Sequence, residues 1–305
     1  MAAVVLAIIV ATATGVWAEL RFGGRAGIAA RRALIFVLYV VLPPTIFFNL
    51  ARVQFDADVG LGIGLGYLAL ALAALLAWFV ASRPLGLQGP AVGSVICCTL
   101  VANTGYLGYP LVAALLGFDQ LSEAVIYDVL VSGPALLVGA FSIGAAFGER
   151  AGETPRQRVV AFFTRNPPLY AAALALIAPD SLAPDVLVDA SRIAIVALLP
   201  LGFFAVGAAL AEEGEEGTNP IPPPLDAAVA AAVGLRLVVA PALLFLIALP
   251  LMDLPGPYLL LAAMPCGINT MIVSHAYGLD LRISAGAVAW STAIAVVVAV
   301  ASLAL

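Results

Sequence analysis

Two short stretches of this chain place a carboxamide, a hydroxyl and helix-breaking residues side by side within apolar sequence. One is NTGYLGYP at 103–110, which holds Asn103, Thr104, Gly105, Gly108 and Pro110. The other is MPCGINT at 264–270, which holds Pro265, Gly267, Asn269 and Thr270. Pro has no backbone N–H and interrupts a helix. Gly lets another backbone approach closely. An interrupted helix exposes N–H groups whose partial positive charge suits an anion. The Asn carboxamide offers both an acceptor and donors. Asn103 and Asn269 therefore either cap the freed N–H groups or touch a ligand, with Thr104 and Thr270 leaning toward capping.

Three ionisable residues have the right chemistry for coupling or recognition. Asp128 lies about seven residues, or roughly 10 Å, into an apolar run. At that depth a carboxylate is a functional candidate. It can accept a coupling proton or help hold a cation, and Ser132 shares its helix face four residues on. The alternative is a residue near the outer interface that faces water. His275 is the only His. It either serves proton coupling through its near-neutral titration or stands at the cytoplasmic edge with no transport role. Arg236 is about nine residues, or roughly 14 Å, into another run. It either lies near the midplane, kept there by a partner, a watery cavity or an anionic ligand, or snorkels to the cytoplasmic surface. Cys97, Cys98 and Cys266 have neither disulfide nor metal-site spacing and read as packing residues. No HExxH motif and no phosphate-binding G-x-x-x-x-G-K-[ST] loop is present. The chain is not expected to be an enzyme or an ATP-driven pump. No cofactor or metal centre is expected beyond a coupling H+ or Na+.

The elements that must position these groups are membrane helices. The 305 residues are 64% apolar and 10% charged, against roughly 45–50% and roughly 25% in soluble domains. So few charges cannot cover a water-exposed surface, and there is no basic tract for nucleic acid. Ten spans are expected: 1–18, 33–51, 59–80, 90–116, 121–147, 166–179 (beginning earlier, near Val159), 186–210, 227–251, 255–277 and 283–305. All 13 basic residues are Arg. With the N-terminus outside, ten of them fall in cytoplasmic loops and two, Arg52 and Arg192, in outer loops. That asymmetry follows the positive-inside rule. The expected location is the cell (inner) membrane, with both termini outside the cytoplasm. The apolar N-terminus has no basic residues ahead of it, unlike a signal peptide.

The breaks recur. Pro44 in LPPTIFF and Pro200 in LLPLGFF match at an offset of 156. Asn103-Thr104 matches Asn269-Thr270 at an offset of 166. Five spans per half is an odd number, so the second half enters from the opposite side. This is an inverted repeat of the kind secondary transporters use. The expected organisation is a five-span repeat at 1–147, a cytoplasmic linker at 148–165 and an inverted five-span repeat at 166–305. The fold class is an all-α polytopic membrane protein of ten transmembrane helices, with helices 4 and 9 broken.

NTGYLGYPLVAALLG (103–117) resembles the fourth-span signature of the auxin efflux carrier family. MPCGINTMIVSHAYGLD (264–280) resembles its ninth-span signature, and LPPTIFFNL (42–50) its second span. The resemblance implies a carrier of small organic anions, in a family that includes plant auxin carriers and bacterial malonate-type carriers. It implies a fold shared with bile acid:sodium symporters, with a scaffold of spans 1, 2, 6 and 7. Spans 3–5 and 8–10 would then form a transport core that moves as an elevator. Substrate would bind where spans 4 and 9 cross, at Asn103, Thr104, Gly105, Pro110, Pro265, Asn269 and Thr270. The short connection between spans 5 and 6 departs from the long-loop auxin carriers and points away from auxin. The expected function is a secondary transporter of a small organic anion, a carboxylate in the first instance. An uncoupled uniporter or channel-like facilitator in the same fold is the alternative. The expected partners are that anion, the lipid bilayer and a second copy of the chain in a homodimer.

Overall fold

The computed structural model describes residues 2–51, 57–149, 167–215 and 223–304. Most of the linker expected at 148–165, and Glu216 of the acidic EEGEEG stretch, lie outside the described residues. Every regular element among the described residues is helical. A helix satisfies its own backbone, which is what an apolar chain in lipid requires. In chain order the helices are α1 (Ala2–Phe22), α2 (Arg25–Phe36), α3 (Leu42–Leu50), α4 (Ala57–Ser82) and α5 (Gly89–Leu100). Next come α6 (Tyr109–Leu115), α7 (Leu121–Tyr127), α8 (Phe141–Phe147), α9 (Pro167–Ile177) and α10 (Asp185–Glu215). The last are α11 (Ala227–Gly234), α12 (Ala240–Ala248), α13 (Gly256–Ala262), α14 (Asn269–Tyr277) and α15 (Leu281–Ala304). Wide turns at Val37–Val41, Thr104–Gly108, Asp128–Ser132, Ala135–Ala140 and Leu235–Val239 lie between some of them.

Among the described residues, three helical stretches, Ala57–Ser82, Ala227–Ala248 and Leu281–Ala299, are long and apolar enough to cross a membrane. Their outer faces carry large apolar side chains such as Leu75, Leu246 and Val297, each more than half exposed. In water such faces would drive aggregation. In a bilayer they are the lipid-contacting surface.

α1 lies along α10, and α10 also packs on α2 and α3. A Cβ on Gly15 would strike the carbonyl oxygen of Phe204, and one on Gly207 would strike that of Thr12. The two helices therefore meet backbone to backbone. The Asn49 side chain on α3 donates to Ser191 Oγ on α10 at 2.9 Å. Elsewhere α5 is the central element. It is buried from Val92 to Leu100 and packs against α4, α8, α11 and α15. At one end of this group, Asp226 caps α11, accepting from the N–H groups of Ala228 and Val229 at 3.0 Å each. Its other oxygen pairs with Arg282 at the start of α15.

Candidate functional site

The backbone leaves the helix after Leu100 and again after Ala262. Val101 is extended, at φ −92° and ψ 111°. Pro110 cannot donate to the preceding turn. The turn Thr104–Gly108 ahead of it is widened, with the Gly108 N–H reaching Asn103 O at 3.0 Å and the Tyr109 N–H bonding Thr104 O. Pro265 pushes Met264 away from helical geometry. The two departures lie against each other. Asn103 N–H donates to Pro265 O, and Gly267 N–H to Val101 O, both at 2.9 Å. They form a short antiparallel bridge centred on Ala102 and Cys266. A Cβ on Gly267 would sit 2.9 Å from Val101 Cγ1 and 3.0 Å from Ala102 O. Only Gly fits there.

Breaking two helices frees carbonyls as well as N–H groups, and the carbonyls find partners within the protein. Arg236, on the wide turn after α11, is 1% exposed. Its guanidinium donates to three of them: Thr99 O at 2.7 Å, Met264 O at 3.1 Å, and Ala262 O. Thr99 belongs to α5, and Ala262 ends α13. A single fork thus joins the C-terminal, partially negative ends of both broken helices. The Cys266 thiol donates to Cys98 O at 3.2 Å. Cys266 N–H donates to Ser291 Oγ of α15 at 3.0 Å.

The N-terminal sides differ. Among the described residues, the N–H groups of Thr104, Gly105, Ile268 and Asn269 have no acceptor. Asn103 occupies the capping position before Thr104, yet its side chain makes no capping bond. It is 6% exposed. Asn269 is partly buried. A Cβ built on Gly105 meets nothing within 4 Å, so space opens in front of this turn.

Asp128 follows α7 at the start of the wide turn Asp128–Ser132. Its carboxylate accepts from the Thr104 hydroxyl and, at 2.6 Å, from Tyr109 OH. Tyr109 is fully buried and Asp128 partly so. The carboxylate therefore stands beside the first break. Ser132 is partly buried one turn on, and no hydrogen bond joins it to Asp128. Thr270 is fully buried, and its hydroxyl donates to Gly267 O, a local bond that closes the turn into α14. Pro110 and Pro265 are buried. His275 is exposed in the last turn of α14.

Of the positions weighed for Arg236, the structure gives the buried one and not the snorkelling one, and what holds it is a set of partners: its fork is filled by carbonyls of two other helices. Sequence reasoning also passed over Tyr109 and Ser291. Tyr109 sits inside the NTGYLGYP motif, five residues after Thr104. A widened turn brings those two onto one side, and the adjacent Pro110 was the available signal.

The model of the membrane transport protein family matches residues 159–301. An uncharacterized transporter of Methanocaldococcus jannaschii is 22% identical over 274 residues, which cover 86% of this chain and 85% of that protein. The chain is thus a multi-pass membrane transport protein and not an enzyme. With the three motifs, these matches support the chain's resemblance to the auxin efflux carrier family.

Proposed function

We propose that the chain is a secondary transporter that moves a small organic carboxylate together with a proton across the cell membrane. One observation carries the anion reading. The crossing's carbonyls named above are taken by Arg236, Cys266 and the facing strand, while the N–H groups of Thr104, Gly105, Ile268 and Asn269 are left as donors. Two helix starts with uncovered N–H groups suit negative charge. The uncommitted Asn103 carboxamide adds a donor and an acceptor.

Asp128 supplies the coupling. Its partly buried carboxylate stands beside the first break and accepts from two hydroxyl groups, which keeps it in place to take up a proton that enters with the substrate. A second negative charge beside Asp128 is unfavourable in a low-dielectric site unless a proton enters with it. Anion and proton therefore move as a pair. Ser132 and His275 are the remaining coupling candidates, with His275 acting as an entry group.

The architecture we propose around this site is the ten-span, five-plus-five inverted repeat with residues 1–147 and 166–305 as its halves. α1, α2, α3, α9 and α10 belong to the scaffold. The crossing moves with the remaining helices as an elevator, both termini lie outside the cytoplasm, and the chain pairs as a homodimer. The test is uptake of a panel of labelled carboxylates, malonate among them, into proteoliposomes with an inside-alkaline pH gradient. Uptake of at least one carboxylate that collapses with a protonophore, and falls sharply in both Asn103→Ala and Asn269→Ala, supports the reading. Gradient-independent flux would support the uniporter alternative. Binding of organic cations but of no carboxylate would refute the assignment.

A further inference from the structure

We infer that the hairpin tip joining α1 and α2 is a binding site for an anionic phospholipid headgroup. The inference rests on the chain's residence in a membrane and not on its substrate or coupling. The turn is built by Gly23 and Gly24, at φ +53° and +79°, a left-handed pair that only Gly adopts freely. Glu19 is the sole acidic residue ahead of Asp56, and it is turned away from this surface. It is fully buried, and its carboxylate accepts from Gly27 N–H in the first turn of α2. That places its charge at the partially positive end of α2 and removes it from the outer face.

Among the described side chains of α1, the turn and α2, the exposed charged groups are all arginines. Arg21, Arg25 and Arg32 are exposed, and among the described residues none of them is in an ion pair. Arg21 lies over the Phe22 ring at 5.9 Å. Trp17 meets the same ring edge-on, also at 5.9 Å. Leu20 and Ile28 are more than half exposed beside them. Cations that alternate with exposed aromatic and aliphatic groups match a phospholipid at the interface. The guanidinium groups bind the phosphate, the aromatic rings sit at headgroup depth, and the aliphatic side chains meet acyl chain. A free phosphate would use the arginines but leave the apolar groups uncovered, so the lipid is the occupant the surface fits.

The test uses the full chain in vesicles. In a Trp78→Phe, Trp290→Phe background, Trp17 is the sole tryptophan and reports on the lipid beside it. Vesicles of phosphatidylcholine carry a minor fraction of either brominated phosphatidylglycerol or brominated phosphatidylcholine, which quench on contact. The expected result is about threefold or greater preference for the anionic quencher, because juxtamembrane Arg residues attract anionic headgroups and salt screens part of that attraction. The preference should disappear in Arg21→Gln/Arg25→Gln/Arg32→Gln. Equal quenching by the two lipids in the arginine-bearing protein would overturn the site, as would an undiminished preference in the triple variant. Where the Trp substitutions prevent folding, native mass spectrometry decides. The otherwise unsubstituted chain should retain bound phosphatidylglycerol over phosphatidylcholine, and the triple variant should not. Added inorganic phosphate should not displace the lipid, and displacement would assign the arginines to a free anion instead.

Discussion

The break after α5 and the break after α13 carry the same Asn-Thr pair, 166 residues apart, in different surroundings. At the first, the Thr104 hydroxyl points to a carboxylate, Asp128, which Tyr109 also holds. At the second, the Thr270 hydroxyl turns back onto Gly267 O, and the Cys266 N–H donates to the neutral Ser291 hydroxyl. The shared feature is the backbone: both stretches supply the bridging strand and both leave N–H groups uncovered. The difference is charge. The two breaks thus present similar helix starts, and in the proposed mechanism the carboxylate beside the first makes it the proton site. Arg236 stands apart from both N-terminal sides, on the carbonyl ends of α5 and α13. It holds the two breaks together without distinguishing between them.

The largest expected effect therefore comes from Arg236. Arg236→Gln leaves carbonyls at both breaks short of donors, at about 1–3 kcal/mol for each buried group left unpaired. A drop in detergent-solubilised thermal stability of at least several degrees is expected, with loss of transport. Arg236→Lys should rescue only in part, because one ammonium cannot reproduce a planar fork. Full stability in Arg236→Gln would show that the crossing does not depend on this clamp.

Next comes a pair of glycine substitutions that separates the bridge from the open side. Gly267→Ala inserts a Cβ within 3.0 Å of Ala102 O and closer still to Val101 Cγ1, a clash worth about 1–3 kcal/mol. Gly105→Ala meets nothing within 4 Å, so it should fold normally and alter carboxylate affinity instead. Equal thermal stability of the two variants would contradict the close bridge.

The contrast in charge is sharpened by Asp128→Asn against Ser291→Ala. Asp128→Asn should abolish the response of uptake to a pH gradient while exchange of labelled for unlabelled substrate persists. Ser291→Ala removes one hydrogen bond, of about 1 kcal/mol, and should leave the gradient response intact. Loss of coupling in both variants would mean that the proton site spans both breaks.

The smallest effect concerns the cap on the helix that leads to Arg236. Burial pushes the Asp226 carboxyl upward. The N–H groups of Val229 and Ala228 and the Arg282 guanidinium outweigh it and hold it below the usual carboxylate range. A depressed carboxyl contributes stability above its unfolded titration, and that stability is lost as pH falls through the folded one. Wild type should therefore lose slightly more stability than Asp226→Asn between about pH 5 and pH 3. The difference should be under about 1 kcal/mol, because the pair is more than a third exposed.

The membrane class was legible in the sequence because apolar runs without charge admit few other solutions, and α4 and α15 follow such runs closely. The Asn103–Thr104 and Asn269–Thr270 pairs were legible as chemistry because Gly and Pro flank them. The partnership of Thr104 and Tyr109 with Asp128 was not. It joins segments 24 and 19 residues apart through two widened turns, and side-chain spacing on a regular helix gives the wrong facing for both. The carbonyl partners of Arg236 were not legible for a related reason. Depth along one helix says nothing of two other helices that end against it.

In the proposed mechanism an anion at the crossing brings a proton to Asp128. The most direct measurement is proton uptake on substrate binding, followed with a pH dye in weakly buffered detergent solution, using a carboxylate that passes the uptake panel. Wild type is expected to take up about one proton per bound carboxylate, and Asp128→Asn none while still binding the anion. Stoichiometric carboxylate binding without proton uptake in wild type would contradict it.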